Sequence, residues 1–155
     1  MAANPVLSKE FELIKKDLIA LYDYKGMRAS GAWADSLEVM VTEDRAILMG
    51  FEYSQQLETG RKPGKFPPIE AIKKWIQDKG VFSAALKEIS LSSLAFLIAR
   101  KIAKQGWKRE GFGGVELISS VITEDRIQKI IDEAGPIMAV KYSTDLVILL
   151  KKLAT

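Results

Sequence analysis

The sequence predicts an α+β fold: a small antiparallel sheet, made of a hairpin over about 36–53 plus one or more C-terminal strands, covered by about four to five helices. Three observations carry this. Apolar residues recur at helical spacing near the start of the chain, they alternate with polar ones on either side of a polar turn after residue 36, and further helical stripes follow. At 155 residues the chain reads as one domain spanning 1–155, long enough to bury a core without covalent staples.

Asn4-Pro5 marks the first helix start, with Asn as cap and Pro in the first turn. Leu7, Phe11, Ile14, Leu18, Leu21 and Tyr22 form its apolar stripe, and Gly26 ends it. Ala29-Ser30-Gly31 is the joint to a hairpin of two strands, Ser36 to Glu43 and Arg45 to Tyr53. Leu37, Val39 and Val41 alternate with Glu38, Met40 and Thr42, as a half-buried strand requires, and Thr42-Glu43-Asp44 supplies the turn.

Tyr53, Gln56 and Leu57 suggest a helical turn closed by Gly60, followed by the basic, Pro- and Gly-rich loop 61–68. Pro68 opens a helix with Ile69, Ile72, Trp75 and Ile76 on one side, Lys79 in its last turn and Gly80 beyond. Trp75 is therefore expected in the core. Ser90, Ser92 or Ser93 caps a helix reaching Lys104, whose stripe of Leu91, Leu94, Ile98 and Ile102 is widened by Ala95, Phe96, Leu97 and Ala99. A helix so broadly apolar is expected to be central or covered by a neighbouring subunit. Gly106 to Gly114 forms a second loop holding Trp107 and Phe112. Val115 to Ile122 fits helix or strand. Thr123 caps a helix over 124–134 that Gly135-Pro136 stops, Ile137 to Tyr142 reads as a strand, and Leu146 to Leu153 fits a partner strand or a short terminal helix.

Cysteine and histidine are both absent. This removes disulfides, thiolate sites, the usual neutral-pH general base and the commonest metal ligand. No catalytic, cofactor-binding or metal residue is assigned, and no cofactor or small-molecule substrate is expected. Gly60-Arg61-Lys62-Pro63-Gly64-Lys65-Phe66 fails as a phosphate loop, because only three residues separate its glycines and Phe66 stands where a hydroxyl must hold magnesium. Gly111-Phe112-Gly113-Gly114 follows a helix rather than a strand, so it is no dinucleotide fingerprint. The acidic pairs Glu43-Asp44, Glu124-Asp125 and Asp132-Glu133 fall at a turn, a helix start and a helix end, and none forms an acid/base pair. A lysine–carboxylate enzyme is the weakest of the rival readings.

Net charge is +3 but unevenly spread: residues 1–59 carry 6 Lys/Arg against 10 Asp/Glu, and residues 60–110 carry 12 against 4. This asymmetry suits an acidic partner or head-to-tail contact between identical chains, beside the plain reading of a solvated basic face. Arg100, Lys101, Lys104, Lys108 and Arg109, near Trp107, give the alternative function of a nucleic-acid-binding accessory protein using segment 100–109. The plainer account of that charge is a basic helix end, where cations favour the last carbonyls. The N-terminal residues lack the pattern of a secretory signal, and the apolar run Leu146 to Leu150 is too short to span a bilayer. The expectation is synthesis in a cytoplasm and no membrane partner.

The middle of the chain carries an ordered set of motifs: Ala29-Ser30-Gly31 and Ser36-Leu37, then Tyr53-x-x-x-Leu57-Glu58-x-Gly60-Arg61-x-Pro63-Gly64-x-x-Pro67-Pro68, then Ile72, Trp75-Ile76 and Lys79-Gly80, then Leu94-Ala95-Phe96-x-Ile98-Ala99-Arg100-Lys101-Ile102 and Gly106. Over residues 29–106 this resembles the tail-completion or head–tail connector (neck) proteins of tailed bacteriophages. After Gly106, Trp107 to Gly114 stands where that pattern continues with a Pro-Phe-Leu-like segment. The resemblance implies a non-enzymatic virion subunit made in the bacterial host cytoplasm. Its copies would form a homo-oligomeric ring at the head–tail junction, between portal or connector and tail proteins, with DNA passing transiently and non-specifically through the channel. On that reading loops 61–68 and 106–114 meet adjacent rings or protomers. Arg61, Lys65, Phe66, Trp107, Arg109 and Phe112 are the candidate interface residues, Trp107 foremost because an exposed tryptophan calls for a cover.

Overall fold

The computed structural model describes residues 2–82, 88–108 and 116–153. Its first helix, α1 (Pro5–Tyr24), starts where the cap chemistry dictates: the Asn4 side-chain oxygen accepts from the amides of Val6 and Leu7 at 3.0 and 3.2 Å. Asn4 also joins the helix start to the hairpin, its amide donating to the Thr42 carbonyl at 3.0 Å. Leu7, Glu10, Ile14, Leu18 and Tyr22 form the buried stripe of α1, and Gly26 follows at a positive φ of 62°.

A short helix, α2 (Ala32–Asp35), stands in the joint before the hairpin and buries Trp33 and Ala34. The strands β1 (Glu38–Val41) and β2 (Ala46–Met49) are shorter than the sequence suggests and pair antiparallel, Val39 opposite Leu48 and Val41 opposite Ala46. Those four half-buried residues share one face of the pair, and α1 packs against both strands. The turn closes through the Thr42 amide on the Arg45 carbonyl at 2.8 Å. A two-stranded ribbon is marginal alone, and the helix beneath it supplies the missing burial.

α3 (Ser54–Thr59) follows and ends at Gly60. Then come α4 (Ile69–Lys79) and α5 (Leu91–Gln105), which pack mainly on each other. Ile76, Ala95 and Ala99 are sealed between them; two alanines one turn apart let the helices approach closely. The core of the body joins Ile14, Leu18, Tyr22, Trp33, Ala34 and Leu37 with Leu117 and Val121 of α6 (Leu117–Val121). α7 (Glu124–Leu153) runs for 30 residues, a rod of about 45 Å.

The α+β class stands, with one antiparallel ribbon and seven helices among the described residues. The C-terminal half corrects two expectations and resolves a third, open between strand and helix. Gly135-Pro136 does not stop the helix, Ile137 to Tyr142 forms no strand, and Leu146 to Leu153 is the end of α7. Pro136 removes one helical hydrogen bond, but local interactions carry the helix through. Gln128 reaches Asp132 at 2.8 Å, Lys141 pairs with Asp145 one turn on, and the hydroxyls of Ser143 and Thr144 bond the carbonyls of Ala139 and Val140. The ambiguous segment before Thr123 resolves as helix over Leu117–Val121.

Trp75 is the other correction. It is 42% exposed, because the buried side of α4 centres on Ile76, and position 75 lies about 100° round the helix from Ile76. α5 is not central within the chain, since Phe96 and Leu97 face outward; of its two expected settings, cover by a neighbouring subunit stays open.

Candidate assembly interface

The basic segment singled out by its charge is also a structural unit. Arg61 and Trp107 face each other as an isolated antiparallel bridge, each amide donating to the other's carbonyl at 2.7 Å. The Gly64 amide donates to the Ala103 carbonyl at 2.8 Å. Together these close residues 61–107 into a lobe, with α4 and α5 as its body. Lys79 ties the lobe to the end of α1, its ammonium donating to the carbonyls of Gly26 and, at 2.9 Å, Arg28.

The neck needs glycine at both crossings. Gly60 and Gly106 have φ of 77° and 73°, a region that costs any residue with a Cβ. A Cβ at Gly60 would strike the Trp107 carbonyl oxygen, and one at Gly106 the Arg61 carbonyl oxygen.

Four of the predicted interface residues gather here. The Arg61 guanidinium donates to the Lys65 carbonyl at 2.6 Å, so it braces its own loop. Phe66 is partly exposed, with its ring 5.7 Å from Phe96. Trp107 is half-buried against the core cluster of the body. Arg109 and Phe112 lie outside the described residues.

Lys62, Lys65, Arg100, Lys101, Lys104 and Lys108 have no ion-pair partner among the described residues, whereas Lys73 and Lys74 are held by Glu70 and Asp78. Among the described residues the lobe therefore presents positive charge without ion-pair partners. A cleft of about 420 Å³ lies elsewhere, where α7 passes the hairpin turn, lined by Asn4, Pro5, Glu43, Ile137, Lys141 and Asp145 among others. There Lys141 sits 3.0 Å from Asp145 and 3.1 Å from Glu43. The hydrogen bonds to these carboxylates, Asp145 foremost, raise its pKa above the ordinary lysine value. Residues 61–65 and 100–108 do not line this cleft. Among the described residues no group of three or more Asp or Glu side chains converges as a metal site.

The largest apolar exposure lies on α7, which holds none of the predicted interface residues. Its first turns are held on α1: Arg126 pairs with Asp17 at 2.7 Å, and Ala134 is buried. Beyond Lys141 every residue to Leu153 is exposed, a stretch of about 18 Å. It includes the consecutive run Leu146, Val147, Ile148, Leu149 and Leu150. Successive residues step about 100° round a helix, so this run is apolar on all sides. Such a helix is ordinarily buried. The sequence signals it as an unbroken apolar run, but such a run suits a core strand equally well.

A second uncovered surface is the outer face of the hairpin. Met40 and Ile47 face each other there, beside Met49 opposite Glu38; past the end of β2, Phe51 and Tyr53 are also exposed, their rings 5.3 Å apart. No helix of the described residues is long and apolar enough to cross a membrane. Comparison with protein-family models, curated proteins and solved structures finds no match.

Proposed function

We propose that this chain is a non-enzymatic structural subunit of a tailed-phage virion. Its copies form a ring at the head–tail junction that joins the portal side to the tail and lines the DNA channel. The observation that carries the reading is the run Leu146 to Leu150 near the end of α7, apolar on every side of the helix and exposed among the described residues. Exposed apolar surface of this extent marks a protein–protein contact. The motif series over residues 29–106 supplies the kind of assembly. The uncompensated lysines and arginines of the lobe suit a wall near passing DNA, because scattered cations attract phosphate without reading sequence.

The test is the mass of the purified protein in solution across a concentration series, with and without duplex DNA. A defined ring, or a chain indifferent to DNA that assembles only with portal or tail proteins, supports the proposal. A second reading, a nucleic-acid-binding accessory protein, rests on Arg100, Lys101, Lys104 and Lys108 being free of ion pairs among the described residues. It requires a monomer that binds duplex tightly at low salt and releases it as salt rises; that outcome replaces the ring reading.

A further inference from the structure

Resting on the self-assembly reading, we infer that the C-terminal end of α7, residues 146–153, docks on the outer face of the β1–β2 hairpin of a second copy of this chain. Two large apolar surfaces on one molecule require either one partner each or each other, and their geometry and charge favour the second.

The tail cannot satisfy its own hairpin. α7 is pinned beside the hairpin turn by Lys141 on Glu43 at 3.1 Å and then continues without a break to Leu153. The outer face lies on the side of the ribbon away from α1, marked by the exposed residues Met40, Ile47 and Met49. Residues 142–153 and the outer face are both exposed in one chain, so the two do not meet there and a hairpin that receives the tail belongs to another molecule.

Charge selects between the two apolar surfaces open to the tail. The last turn of the tail carries Lys151. The lobe, which also exposes Phe66, Trp75, Phe96 and Leu97, is basic and would repel it. The hairpin face carries Glu38 opposite Met49, and Arg45 beside Asp44 in the turn, so it lacks the lobe's excess of positive charge. An apolar centre with Glu38 at its edge accepts an apolar helix with a lysine near its end, where the basic lobe would not.

The size of the contact matters too. One helix end on a two-stranded face falls at the small end of stable interfaces. A pair of copies is therefore held weakly, and each copy gains when it uses both its tail and its face. Such a contact is head-to-tail: tail and face are different surfaces, so every bound copy leaves one of each unused until the chain of copies closes.

Two exposed positions test this. Leu149→Glu charges the tail and Ile47→Glu charges the face, and circular dichroism confirms that both variants remain folded. Each variant alone is expected to be monomeric at concentrations where the unaltered chain self-associates. Mixed in equal amounts they should form a one-to-one dimer and nothing larger, through the intact tail of one and the intact face of the other. Self-association of either variant at the unaltered level overturns the inference while leaving the ring reading intact. Failure of the mixture to form a dimer even at concentrations well above those at which the unaltered chain assembles also overturns it, since each variant keeps one of the two surfaces intact. Loss in both variants with an unaltered chain that grows open filaments supports the contact and removes the ring. An unaltered chain that stays monomeric throughout removes both.

Discussion

The amide of Arg61 and the amide of Trp107 exchange hydrogen bonds with each other's carbonyls, each 2.7 Å long, although the two residues lie far apart in the chain. This pair closes the basic lobe at its base. Both flanking glycines are required for the approach, so Gly106→Ala should cost at least about 2 kcal/mol, from positive-φ strain and the lost bridge. Hydrogen exchange is the decisive measurement: the Arg61 and Trp107 amides should lose protection in the variant while amides in the middle of α1 keep theirs. Unchanged protection at residues 61 and 107 would remove the glycines from the account of the neck.

The start of α6 is capped from a distant helix. The Glu58 carboxylate accepts from the Ile118 amide at 2.6 Å and from the Ser119 amide at 3.2 Å, and also from the Ser119 hydroxyl. Negative charge at free helix amides stabilises a first turn. Glu58→Ala should lower unfolding free energy by about 1–2 kcal/mol, and Glu58→Gln by less, because the amide oxygen still accepts. Denaturant titration of the three proteins checks the order. Equal stability of Glu58→Ala and the unaltered chain would show that water replaces the cap without loss.

Glu10 is 2% exposed within the stripe of α1, and its Oε1 has no hydrogen bond. Its ion-pair partner among the described residues, the Lys129 ammonium, stands 3.7 Å away. A buried charge so weakly compensated costs stability. Glu10→Met should be neutral or stabilise by about 1–4 kcal/mol, whereas Lys129→Met should destabilise by leaving the carboxylate alone. In the double variant the Lys129→Met effect should vanish. A strongly destabilised Glu10→Met would point to a role for the carboxylate outside the single chain.

Tyr22 packs its ring on Trp33 at 4.6 Å between centroids. Burial, with a smaller push from Tyr53, raises its pKa above the ordinary tyrosine value of about 10. The charged form is the deprotonated one, so the folded state holds this proton more tightly than the unfolded state. Its contribution is complete below about pH 10 and is lost as pH rises through the folded pKa. Tyr22→Phe should keep the ring contact and reduce the alkaline loss of stability. Thermal melts on either side of that pH, compared between the two proteins, read the difference; parallel pH curves would exclude Tyr22 as its source.

Much of the fold is open to reading because its signals are local. Asn4-Pro5, the stripe of α1, the alternation in β1 and the glycine at position 60 act within a few residues of themselves. The candidate site is less legible. Phe66 can be placed on the surface from its loop, but no local pattern marks Trp33, although its indole donates to Ser54 at 2.9 Å and it lies at the centre of the core. Trp75 reads inward because a stripe shows which residues share a side, not how much of that side a neighbour covers.

By itself the sequence determined the class, the caps, the hairpin register face and the segregation of charge into residues 60–110, since each depends on spacing or composition. Only the tertiary structure decided that this basic segment closes into a lobe, because the Arg61–Trp107 pair joins residues far apart in the chain. It alone decided the state of residues 137–153 as well. An apolar run of that length suits strand or helix equally, and the choice falls to what lies beside it. Beyond Lys141 no sheet edge among the described residues lies alongside, so the helix begun at Glu124 continues past Pro136 and carries its apolar end into the open.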